Sequence, residues 1–166
     1  MAIWQFRMSM LPREGVRNKL GCIPSVFEEY KSDFSFSGSA TDENDVNYWK
    51  GYSLSGTVSA FSEIFIEKQS WDERMRLFEV DSGSKVEVWQ DDVYIKYDAR
   101  NPDYTLLKKV VNIARDLKCI LVSEEDGKMI EPEFSSVLEC FQNSRAYRVK
   151  ENPENVLEEI KNLQKD

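Results

Sequence analysis

Three triplets in the second half of the chain, Asn101-Pro102-Asp103, Glu131-Pro132-Glu133 and Asn152-Pro153-Glu154, each stand directly before an apolar period of helical spacing. Proline suits the first position of a helix because its missing N–H would have had no intrahelical partner there, and an acid in the first turn favours the helix dipole. Each triplet therefore marks a helix start. The faces that follow are Leu107, Val110, Val111, Ala114 and Leu117; then Phe134, Val137, Leu138 and Phe141; then Val156, Leu157, Ile160 and Leu163. Stripes of that width have to be covered, and a sheet is the surface that covers several helices at once. Residues 151–166 are expected to form a C-terminal helix at the periphery, the least tied to the core.

The strands for that sheet come mostly earlier. Trp4, Phe6, Met8 and Met10 alternate with Gln5, Arg7 and Ser9, the period of a half-buried strand that ends at Pro12. Three extended runs, 76–80, 85–90 and 93–97, are separated only by Asp81-Ser82-Gly83-Ser84 and Asp91-Asp92, which predicts an antiparallel meander. Residues 119–123 and 128–130 flank Asp126-Gly127, a dipeptide suited to a tight hairpin. Between these blocks, residues 13–31 predict a short helix or turns carrying Val16, Leu20, Val26 and Phe27 inward. Leu54, Val58, Phe61 and Phe65 recur at helical steps, although Ile64-Phe65-Ile66 is β-prone.

With 166 residues, 41% of them hydrophobic, and nine Phe, seven Tyr and four Trp, a single compact unit is able to bury roughly 70% of the surface of the unfolded chain. The expectation is one α+β domain over residues 1–166, with an antiparallel or mixed sheet of about five strands covered on one face by three or four helices. No apolar run approaches the roughly 18 residues of a membrane span.

The sequence contains no histidine. That removes Ser-His-Asp and Cys-His catalysis and the commonest neutral zinc ligand. Cys22, Cys119 and Cys140 are widely spaced, and the last two sit in apolar surroundings as small buried hydrophobes. Gly51-Tyr52-Ser53-Leu54-Ser55-Gly56 has the glycine spacing of a phosphate loop, but Thr57-Val58 stands where a lysine and a hydroxyl residue are required. Asp42-Glu43-Asn44-Asp45 lacks the glycine and the distal glutamate of a calcium loop, and Glu124-Glu125-Asp126 reads as a hairpin tip in water. No metal and no cofactor are expected. Carboxylates are the general acid and base material that remains. Asp91-Asp92 and Asp98 flank one strand, but turn chemistry explains the pair, and no residue is singled out as catalytic. Tyr48, Trp49 and Tyr52 have the composition of a sugar platform, though such density more often builds core or interface.

Thirty acids against 22 basic residues give a formal charge of -8. A field of that sign repels phosphate backbones and anionic lipid, so neither nucleic acid nor a membrane surface is expected as a partner, whereas a basic protein is. The charge is concentrated. Between residues 28 and 46, Glu28, Glu29, Asp33, Asp42, Glu43 and Asp45 face Lys31 alone, while Phe34 and Phe36 alternate with serines and Tyr48-Trp49 follows. Residues 32–47 are expected to be an acidic surface loop. Large rings rimmed by charge are the anatomy of specific interfaces, so Glu28, Glu29, Asp33, Phe34, Phe36, Asp42, Glu43, Asp45, Tyr48 and Trp49 form the candidate partner-binding set. The leading expectation is a non-enzymatic cytoplasmic protein-binding module, an inhibitor or immunity-type protein that neutralises a basic enzyme. The alternatives are a carboxylate enzyme acting on a carbohydrate or other small molecule, and a structural subunit of an oligomer.

Overall fold

The computed structural model describes residues 3–31 and 46–163. Its strands are β1 (Gln5–Pro12), β2 (Ile66–Lys68), β3 (Arg76–Glu79), β4 (Lys85–Val88), β5 (Val93–Asp98), β6 (Cys119–Ser123) and β7 (Met129–Ile130). The helices are α1 (Arg13–Leu20), α2 (Ser55–Ser62), α3 (Tyr104–Asp116), α4 (Phe134–Asn143), α5 (Arg145–Glu151) and α6 (Pro153–Leu163), with a 3-10 turn at Glu28–Tyr30. They make a single-domain α+β fold around one sheet of order β2-β3-β4-β5-β1-β6-β7, antiparallel at every neighbouring pair.

The first strand of the sequence lies inside the sheet. β1 pairs with β5 from Gln5↔Asp98 to Ser9↔Tyr94 and with β6 from Met8↔Ser123 to Pro12↔Cys119. β5 and β6 therefore run parallel to each other on either side of β1, and α3 is the crossover that joins them. The alternation of β1 sends Phe6, Met8 and Met10 into the main core, where they meet Leu107, Val110 and Val111 of α3 and Val137 and Phe141 of α4.

Several expectations change in detail. The sheet has seven strands among the described residues rather than about five, because the Phe61 to Phe65 period runs past the end of α2 and Ile66 already belongs to β2. Among the described residues six α-helices are present where three or four were expected. α5 follows α4 across Ser144, whose hydroxyl accepts from the Tyr147 N–H and restarts the helix. Two of the prolines stand two places further out than read. Asp103 and Glu133, the acids after Pro102 and Pro132, occupy the capping positions of α3 and α4, and only Pro153 opens its helix. Asp103 accepts from the Leu106 N–H at 3.0 Å, a side-chain cap that its short carboxyl can reach.

The sheet is also not covered on one face alone. Leu11, Ile120 and Val122 point away from the helical core and are buried by Val16, Phe27 and Tyr48. This second layer comes from α1, which stands close enough to Tyr48 that a Cβ on Gly15 would lie 2.1 Å from the Tyr48 carbonyl oxygen, and from the chain around Phe27. Leu20 and Val26, expected inward, are 42% and 39% exposed.

Trp49 belongs to the main core at 5% exposure, and its Nε1 donates to the Met10 carbonyl at 3.1 Å. Trp49→Ala is expected to lower stability by about 3–5 kcal/mol, the cost of a large buried ring. Denaturant titration checks this, and a variant as stable as the wild type would remove the ring from the core.

Candidate functional site

On the second face of the sheet, period two brings Ser9 and Arg7 of β1 beside Tyr94 and Lys96 of β5, in the cross-strand pairs Ser9↔Tyr94 and Arg7↔Lys96. A polar floor of this kind needs a cover. The chain after α1 supplies it by docking on the β6–β7 hairpin: the Phe27 N–H donates to the Gly127 carbonyl at 2.7 Å, and the Met129 N–H to the Ser25 carbonyl at 2.9 Å. Gly127 is required here. Its φ is +69°, and a Cβ would lie 2.2 Å from the Phe27 carbonyl oxygen.

Docking of residues 25–27 places the 3-10 turn over the β4–β5 connection. The Tyr30 hydroxyl donates to Asp92 Oδ2 at 2.8 Å, and Asp92 Oδ1 accepts from the Val93 N–H at 2.8 Å. The Tyr48 hydroxyl donates to Glu29. Between these groups lies a depression of about 740 Å³, with Tyr30, Tyr48 and Tyr94 among its walls. Glu28, Glu29, Asp91, Asp92 and Glu124 also line it, against Lys31, which bridges to Glu28 at 2.6 Å.

Asp92 is 7% exposed. Burial pushes its carboxyl up to about 7, against the pull of hydrogen bonds from Tyr30, the Val93 N–H and Tyr94, and the nearby Glu124 pushes the same way as burial. Glu124 is half-buried, accepting from the Ser9 hydroxyl at 3.3 Å, and its carboxyl is raised by burial although Arg7 and Ser9 oppose this. Burial, then Asp92, raises the Tyr30 and Tyr94 hydroxyls far above their ordinary range, so both are fixed as neutral donors. The site thus holds desolvated carboxylates gripped by uncharged groups.

The structure brings Glu28, Glu29 and Tyr48 of the candidate set to this depression. Tyr48 contributes from within the second core layer at 2% exposure, and Trp49 is removed from the surface altogether, so neither ring stands out as a free anchor. With Tyr52 37% exposed but Tyr48 and Trp49 buried, the three do not present a platform of exposed rings. Asp33, Phe34, Phe36, Asp42, Glu43 and Asp45 lie outside the described residues, but Lys31 and Val46, between which that segment runs, both line the depression.

Tyr30, Asp92, Tyr94 and Glu124 were not in the set. Glu124 is turned inward rather than into water, and Glu125 accepts from the Arg145 N–H at 2.9 Å, which leaves Asp126 as the exposed acid of the hairpin. The available signal was the i, i+2 relation of Asp92 and Tyr94 at the start of a strand, which puts both on one face. Asp98, at the other end of β5, is bound by Arg100 instead; burial raises its carboxyl, but the Arg100 bonds outweigh that and hold it low. Trp71 was also missed. It is 74% exposed and packs on Trp89 with ring centroids 5.6 Å apart. Trp89 lines a shallow groove together with Asn47 and Asp91, both of which also line the depression.

Burial pushes the thiols of Cys119 and Cys140 up to about 12 and about 11, so neither is a ready nucleophile near neutral pH. Among the described residues no group of three or more metal-ligating side chains is assembled, and no helix is long and apolar enough to cross a membrane. Comparison with protein-family models, curated proteins and solved structures finds no match.

The elevated Asp92 has a consequence for stability against pH. In the unfolded chain this carboxyl ionises near its ordinary value, whereas in the fold it keeps its proton to about 7. Its contribution is therefore full below pH ~4 and is lost as pH rises through about 7, by on the order of 4 kcal/mol. Subtracting an Asp92→Asn profile from the wild-type profile cancels opposing groups such as Asp98. The difference is expected to fall between about pH 4 and about pH 7 in urea titrations, and parallel profiles would contradict it.

Proposed function

We propose that this chain is a non-enzymatic protein-binding module that receives a basic protein at the acidic depression, acting as an inhibitor or immunity-type protein toward a basic enzyme in a reducing cytoplasm. The observation that carries the reading is the concave surface on which Glu28, Glu29, Asp91, Asp92 and Glu124 converge around tyrosines. A charge of -8 extends the field beyond the site and steers encounter. The exposed Trp71, reached through Asn47, Asp91 and Trp89, supplies a large ring beside the charged cavity, the combination from which binding hot spots are made.

Two desolvated carboxylates in one cavity also suit an enzyme of the acid-base kind. Catalysis by such a pair needs its two groups driven apart, one kept protonated and the other ionised. Here burial raises both Asp92 and Glu124, which favours binding over catalysis. Glycoside turnover that disappears in Asp92→Asn would reverse this order.

Replacing Glu28 and Glu29 by Gln and Asp91 by Asn keeps the shape and removes charge. Stopped-flow association with a basic protein captured from the parent cells is expected to slow about tenfold at 0.1 M salt, with little change in melting temperature, and wild-type association is expected to slow as the Debye length falls from about 10 Å to about 3 Å at 1 M. Trp71→Ala is expected to speed dissociation without destabilising the fold. An acidic partner, or association indifferent to both salt and the triple substitution, would refute the reading.

A further inference from the structure

The proposal concerns what enters the depression, and it rests on the reading of that depression as a binding surface. A cavity of about 740 Å³ lies in the size range of ligand sites and is larger than any one side chain requires. Leu20, Val26 and Val46 also line it, and all three are more than a third exposed. Its deepest carboxyl, Asp92, accepts from the Tyr30 hydroxyl and the Val93 N–H. Both donors are neutral. A carboxylate offers about four lone-pair positions, so acceptor capacity remains. Lys31, the basic residue among the described lining, is already joined to Glu28, and Lys96 is joined to Glu87 outside the cavity.

A desolvated acid held by neutral donors either keeps its proton or exchanges it for a cation brought from outside, which pairs with the ionised form. Arginine suits this site better than lysine. Its planar, weakly hydrated guanidinium has five donors to spread over several carboxylates, and it packs on aromatic rings, which tyrosines provide here. We infer that the depression is a socket for an arginine-bearing segment of the partner, with the guanidinium against Asp92 and Glu29 and the neighbouring aliphatic atoms on Leu20, Val26 and Val46.

A cation beside Asp92 favours its ionised form, so binding also releases a proton. The groups that face Asp92 are Tyr30 on the 3-10 turn, Tyr48 on the segment after it, Tyr94 on β5, Asp91 in its own turn and Glu124 on the hairpin, with Arg7 and Lys96 near Glu124. The tyrosines stay neutral throughout, which leaves Asp92 as the proton source.

The test uses the full chain and three probes: Nα-acetyl-arginine methylamide, its lysine counterpart and the uncharged citrulline counterpart. In amide NMR titrations the arginine probe is expected to move Val93, Tyr94 and Phe27 with millimolar affinity, the lysine probe more weakly, and the citrulline probe at least about tenfold more weakly still. Asp92→Asn, which keeps one acceptor oxygen for the Val93 N–H and turns its amide NH2 to the Tyr30 hydroxyl oxygen, is expected to weaken the arginine probe at least about tenfold, as is Glu124→Gln to a smaller degree, while Asp126→Asn on the exposed hairpin acid is without effect. Calorimetry near pH 6 in two buffers of different ionisation enthalpy should show proton release by the wild type and its loss in Asp92→Asn. Equal binding of the citrulline probe, shifts mapping away from the depression, or unchanged binding by folded Asp92→Asn and Glu124→Gln would overturn the socket. A basic partner that binds wild type and Asp92→Asn alike would overturn the socket and leave the acidic-surface reading standing. Probe binding without any partner sensitive to Glu28, Glu29 and Asp91 would do the reverse.

Discussion

Everything in this fold is referred to β1, a strand hydrogen-bonded on both edges and buried on both faces over its second half. Antiparallel pairing to β5 on one side and β6 on the other closes the sheet around the N-terminal strand, so contacts far apart in sequence must form before the core exists. The even-numbered residues Phe6, Met8 and Met10 set the register of the helical side. Because side chains alternate with a period of two, that register also fixes Arg7, Ser9 and Leu11 on the opposite side. The polar floor of the depression is thus a by-product of placing three hydrophobic side chains correctly.

A great deal of this was legible in the residues. Alternation and short turns sufficed for β1, the meander and the last hairpin, because each is a local pattern with a local stop. Helix starts were legible to within two residues, the shift in α3 arising because Asp103 caps with its own side chain where Pro102 seemed to begin the helix. The second core layer was not legible. Nothing local distinguishes Phe27, which is buried, from Val26, which is 39% exposed; only docking on Gly127 decides which of two adjacent apolar residues turns inward.

The site divides along the same line. Acid density marked Glu28 and Glu29 as sequence neighbours of an acidic run, and the structure places both at the depression. Asp92 and Glu124 looked like turn acids because turns are where acids are cheap, and both do sit in turns. What the sequence lacks is the third dimension, in which Tyr30, 62 positions from Asp92, covers one and Ser9, 115 positions from Glu124, holds the other. Trp49 fails in the opposite sense. Its neighbours are polar and aromatic, yet its indole nitrogen finds a backbone carbonyl of β1 and the ring is drawn into the core.

The same contacts that form the depression also keep it from relaxing. A buried acid can escape its cost by a local rearrangement that lets water in, unless the surrounding backbone is fixed by something else. Here the cover is fixed twice, by the Phe27–Gly127 and Ser25–Met129 bonds to the hairpin and by the rings of Phe27 and Tyr48, which meet edge to face with centroids 6.0 Å apart. Both fixings draw on apolar burial over Leu11, Ile120 and Val122, remote from any charge. The energy that holds Asp92 in a dry setting is therefore supplied by the second core layer, and the tyrosines only transmit it. With donors already in place, an acid held in this way changes only by keeping or losing its proton, and a cation favours the loss. In the socket we infer, that asymmetry separates a charged from an uncharged occupant of the same shape.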